Sequence, residues 1–128
     1  MDQDMVVLAR VRLLSANRRV VRGAEGLWIY RVLAEVEPEA YGSKLAYVLV
    51  EASASPLVRE LPERRLALLD EAVEVAKALG ASNPYRAKVL ARALAARQRE
   101  LEGRQVEPLA SDGREYQPGL QGEPQERA

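Results

Sequence analysis

The 128-residue chain has no cysteine, no histidine and no phenylalanine. Without cysteine there is no disulfide, no thiol nucleophile and no thiolate metal site. Without histidine it lacks the usual general base and the usual metal ligand, so triad hydrolases and most zinc enzymes are excluded. Aromatic residues make up only 5% of the chain, including a single tryptophan, so the β-favouring set is thin. Nor does either charge dominate: 19 basic residues balance 19 acidic ones, which removes the global positive field of a typical nucleic-acid binder. No apolar run escapes interruption by charge for long enough to span a bilayer. The start, Met-Asp-Gln-Asp, lacks the basic n-region of a signal peptide, and a cytoplasmic protein is expected.

What is present is Ala, Leu and Val, within an apolar share of 48%. Ala and Leu head the helix propensity scale, and the expected class is all-α. The expected architecture is a small stack of antiparallel helix hairpins, about five helices over residues 1–103, followed by a tail over 104–128. In that tail Gly113, Gly119 and Gly122 alternate with Pro108, Pro118 and Pro124 among Gln and Glu, a composition that predicts disorder. Segments around Val106–Leu109 or Tyr116 could serve there as docking peptides.

Residues 5–22 read as a first helix with Val7, Val11, Leu14 and Val21 on its inner face, although the Val-rich stretch 5–12 also admits a strand. A second helix over 25–36 carries Leu27, Tyr30, Leu33 and Ala34 on one stripe, beside Trp28, which is read as core. Pro38 opens a third, with Tyr41, Leu45, Val48, Leu49 and Ala52 inward. Over 62–79 two seams lie side by side: Leu66, Leu69, Val73, Ala76, and Leu68, Ala72, Val75, Leu79. Such a helix expects neighbours on two sides, with Gly80 as its C′ residue. Asn83-Pro84 supplies an N-cap and a proline start for a fifth helix ending at Gly103. Its inner face is expected to hold Tyr85, Val89, Leu90, Ala93, Leu94 and Leu101. Asp70, Glu71 and Glu74 share one polar stripe and read as a solvated face rather than a metal site; no metal or cofactor is expected.

One block recurs about 44 residues on: Tyr41-Gly-Ser-Lys44-Leu45-Ala46 returns as Tyr85-Arg-Ala-Lys88-Val89-Leu90, each following a proline. Repeats of helix pairs at this spacing indicate proteins that bind rather than transform. Residues 45–84 resemble the tetratricopeptide repeat family in its longer-period form, common in large multi-repeat bacterial proteins. The likeness is carried by Leu45-Ala46 with Leu49, by Leu66-Ala67-Leu68-Leu69-Asp70-Glu71-Ala72-Val73-Glu74, and by Asn83-Pro84. Leu90-Ala91-Arg92-Ala93-Leu94 then restarts the first-helix pattern. Ser53, Pro56 and Arg65 depart from it. The resemblance implies a concave face, lined by the first helix of each pair, that holds a peptide or helix of another protein. On that face it places Lys44 and Lys88 at equivalent points, with Arg92 one turn on and Tyr41 and Tyr85 nearby.

The expected function is therefore a non-enzymatic interaction module, an adaptor or scaffold whose partner is another protein or a second copy of itself, as homodimer or higher oligomer. The alternative is nucleic-acid binding through Arg10, Arg12, Arg18, Arg19 and Arg22, part of a first segment (residues 1–31) that is net +3.

Overall fold

The computed structural model describes residues 3–16 and 20–111, those from 105 onward as backbone only. Five α-helices and one 3₁₀ turn make up these residues: α1 (Gln3–Ala16), α2 (Gly23–Val36), α3 (Pro38–Ser53), a 3₁₀ turn (Pro56–Val58), α4 (Pro62–Lys77) and α5 (Arg86–Ser111). No strand occurs among them, so the all-α expectation holds and 5–12 is helix. The chain divides into two units, Met1–Arg97 and Gln98–Ala128.

In the first unit α1 packs on α2, α2 on α3 and α3 on α4, a small stack of helical hairpins built from neighbours in sequence. Proline opens α3 and α4, where its missing N–H leaves nothing unsatisfied. Glu37 alone joins α2 to α3, and its N–H donates to the Leu33 carbonyl at 2.8 Å, closing the end of α2. The core is centred on Tyr30, Ile29, Leu33 and Leu49, all below 2% exposed. Leu69, Ala72 and Val73 of α4 are buried against it, with Leu68 and Val75 half-buried beside them, so both expected seams contribute. Ala93 is fully buried on α5, flanked by half-buried Leu90 and Ala96. Arg97 reaches the Asp70 carboxylate at 2.5 Å and fastens this part of α5 to α4.

Close approach explains the glycines. A Cβ on Gly42 would stand 2.8 Å from Leu79 Cδ2, so its absence lets α3 settle onto the end of α4. Gly26 meets the backbone of Val21 in the same way, and Gly23 takes a positive φ, +75°, alone among the described glycines.

Four expectations are corrected. Val7, Val11 and Leu14 lie on the outer side of α1, 54%, 51% and 81% exposed, while Ala9 is fully buried and Val6, Leu13 and Ala16 pack beside the core. The helix rotates inward the face with small residues, because alanine allows α2 to come near. Tyr85 and Leu94 are exposed rather than inward, the first because it precedes the helix it was assigned to. Gly80 is not a left-handed C′ residue; its N–H is spent on a side chain of α3. Finally, α5 runs through Gly103 to Ser111, since one glycine costs a helix only about 1 kcal/mol. Trp28 is half-buried against the core.

In the second unit, the part of α5 from Gln98 bears its own pairs: Gln98 donates to Glu102 at 3.2 Å, and Arg104 pairs with Glu100 at 3.5 Å, each at i,i+4 spacing. The expected disordered tail beyond Ser111, with Tyr116, lies outside the described residues, as do the side chains of Val106–Leu109.

Candidate functional site

The repeated block places its second lysine one turn beyond the Asn83–Pro84 turn, and the fold brings both copies of the block to one groove. Between α3 and the start of α5 opens a depression of about 600 Å³. Lys44 and Ser43 come from α3, Lys88 and Arg92 from α5, and Tyr85 and Pro84 from the turn before it. Val20, Ala40 and Val89 give it apolar wall. Four of the five residues expected on such a face, Lys44, Lys88, Arg92 and Tyr85, line it together. Tyr41 does not. It is half-buried and stacks on Tyr30, with ring centroids 6.5 Å apart, and stands behind Lys44, whose ammonium lies 5.8 Å from its ring.

Tyr47 anchors the basic side of the groove. The Arg92 guanidinium lies 4.3 Å from the Tyr47 ring centroid and donates to the Tyr47 carbonyl at 3.1 Å. The ring face is electron-rich, so it holds the guanidinium in place without cancelling its charge. From the other segment Arg22 donates to the Tyr47 hydroxyl at 3.1 Å and pairs with Glu51 at 3.5 Å. Lys88 is exposed and Lys44 half-buried, and neither enters an ion pair among the described residues.

The one carboxylate on the groove, Glu39, is occupied structurally. Its oxygens accept the Gly80 N–H at 2.8 Å and the Asn83 side-chain amide at 3.0 Å, and that amide also reaches the Glu39 carbonyl at 3.2 Å. Asn83 and then Gly80 hold the Glu39 carboxyl below the usual carboxylate range, because both donate to its charged form. Asn83 in turn accepts the Tyr85 N–H at 3.0 Å, closing the turn that leads into α5, which begins at Arg86 and not at the expected Pro84. Arg86 donates to the last carbonyl of α4, that of Lys77, at 3.4 Å and to the Leu79 carbonyl just beyond at 3.0 Å. The α4–α5 turn, which forms one end of the groove, is thereby tied at several points. Glu39 was not recognised from sequence; the only hint was an acidic residue in the first turn of α3, a common helix-start preference.

Arg10, Arg12 and Arg22 of the alternative reading each meet a carboxylate: Glu37, Glu25 at 3.3 Å, and Glu51 respectively. Arg18 and Arg19 lie outside the described residues. The acidic stripe of α4 carries exposed ion pairs, Asp70 with Arg97, Glu71 in a two-point contact with Arg31 at 2.6 and 3.0 Å, and Glu74 with Lys77 at 4.0 Å. Among the described residues no group of three or more acidic side chains is placed to hold a metal. Nor is any described helix long and apolar enough to cross a membrane. Comparison with family models, curated proteins and solved structures returned no match.

Proposed function

We propose that this chain is a non-enzymatic adaptor that holds an extended or helical segment of another protein in the groove between α3 and α5. The observation that carries this reading is the meeting of Lys44, Lys88 and Arg92 beside an apolar wall, with the one nearby carboxylate already engaged. An acidic segment with apolar side chains at intervals would satisfy both halves of that lining. The tetratricopeptide repeat relationship is part of the proposal. It is supported by the recurrence of the Tyr-x-x-Lys block, whose two lysines, one on α3 and one on α5, line one groove. The Arg-rich first segment offers less to nucleic acid, since Arg10, Arg12 and Arg22 are each partnered by a carboxylate.

The test is a nuclease-treated pull-down with the wild-type chain and with a Lys44→Glu/Lys88→Glu variant whose helicity is checked by circular dichroism. Both side chains are free of ion pairs among the described residues, so the variant should fold. A stoichiometric protein captured by wild type should be lost by the variant, and calorimetric titration of that purified protein should show the same loss. Equal capture by both refutes the groove. A steeply salt-dependent affinity for DNA or RNA, unaffected by the double variant, would favour the alternative.

A further inference from the structure

Helix α1 closes one end of the stack, packing on α2 through Ala9, Val6, Leu13 and Ala16. The terminal helix of a stacked array ordinarily turns a polar face outward. This one does not. Val7, Val11 and Leu14 follow one another at spacings of four and three, with Leu8 beside them, all between 44% and 81% exposed. No other described helix exposes so continuous an apolar stripe, and none of its residues lines the groove.

The spacing says what kind of surface would cover it. A four–three stripe is the seam one helix offers another, at an axial separation of roughly 8–10 Å. The charges say which helix. Arg10 and Arg12, at the margins, are neutralised by Glu37 and Glu25 of their own chain, so the stripe attracts neither an acidic nor a basic partner. The whole chain carries no net charge, and two copies meet without repulsion. The stripe is also nearly symmetric about Val11. Turned antiparallel about a two-fold axis there, Leu8 of one copy lies over Leu14 of the other, and Val11 faces Val11.

From this we infer that α1 is a self-association surface: two copies join end to end through the Val7–Val11–Leu14 faces, and the stack continues across a two-fold axis. This interface is independent of the groove and leaves it open in both copies.

Sedimentation velocity of the full chain at rising concentration is the first measurement. The wild-type chain should pass from monomer to dimer and stop there. Val11→Glu and Leu14→Glu, both at exposed positions, should keep wild-type helicity and weaken dimerisation at least about tenfold, because each buries a carboxylate against aliphatic groups. Leu57→Glu, at an equally exposed residue of the 3₁₀ turn, should leave it unchanged. Because the chain has no cysteine, Val11→Cys supplies a single thiol, and mild oxidation should link two copies through it. The inference fails if the wild-type chain stays monomeric throughout, grows beyond dimers, or dimerises as well with glutamate at positions 11 and 14. It fails equally if wild type dimerises and the thiols of the Val11→Cys variant do not join.

Discussion

Substituting Gly26 by alanine should destabilise the protein, against the general rule that alanine improves a helix. A Cβ at this position would lie 2.6 Å from the Val21 carbonyl carbon and closer still to its oxygen. Ordinary contact begins near 3.4 Å, so the Val21 oxygen, 2.0 Å away, would have to withdraw by the 1.4 Å between those values. That peptide cannot move freely. The Val21 N–H donates to the Tyr30 hydroxyl at 2.9 Å, Tyr30 is fully buried, and the Val21 side chain is itself only 4% exposed. Losing the buried hydrogen bond costs about 0.5–1.5 kcal/mol. Partial loss of Val21 burial adds about 1–2 kcal/mol. The helix propensity gained from alanine returns about 0.5–1 kcal/mol. The net loss is about 2 kcal/mol, a melting point lower by roughly 10 °C for a domain of this size. Gly103→Ala is the matched control, since no atom lies within 4 Å of its added Cβ; it should be neutral or stabilise by about 0.5–1 kcal/mol. Urea titrations followed by helix dichroism and Trp28 fluorescence would read both variants. If Gly26→Ala unfolds at or above the wild-type midpoint, the packing of the 20–22 segment against α2 is wrong.

Leu49→Ala should cost about 2–5 kcal/mol, because Leu49 is fully buried at the centre of the core; a loss below about 1 kcal/mol in the same titration would mean the site is loosely packed. Glu39 makes stability depend on acid. Its folded pKa lies below the ordinary 4.5, so its contribution is present above that value and disappears as pH falls through the folded pKa. Glu39→Gln should therefore narrow its stability gap from wild type as the buffer is taken from neutral to acid; a gap unchanged across that range refutes the latch.

How far the sequence reached depended on whether a signal was local. Helix α4 was legible because its two seams leave only a narrow polar strip, and Asn83-Pro84 marked the turn into α5 by capping chemistry alone. The face of α1 was misread for a physical reason. Val7, Val11 and Leu14 form a better apolar period than Ala9, Leu13 and Ala16, yet Ala9 and Ala16 are small enough to let α2 approach, and that preference exists only once α2 is in place. Gly103 looked like a terminator because glycine is weak in helices, although its cost is small beside the continuing ladder. The groove was half visible. Repetition marked Lys44 and Lys88, while the latch from Glu39 to Gly80 and Asn83 spans more than forty residues and leaves no periodic trace.

Glu37 sets how the chain can change in length. It is the whole of the connection between α2 and α3, and the proline that follows fixes the next dihedral, so this joint has no slack. Adding a residue there would turn α3 by about 100° and carry Leu45 and Leu49 off the buried side, taking Lys44 out of the groove with them. The segment between α3 and α4 is different: Leu57 is almost fully exposed, and the 3₁₀ turn can lengthen outward without rotating either helix. Among descendants of this gene, insertions should accumulate around residues 54–61 and be purged at 37.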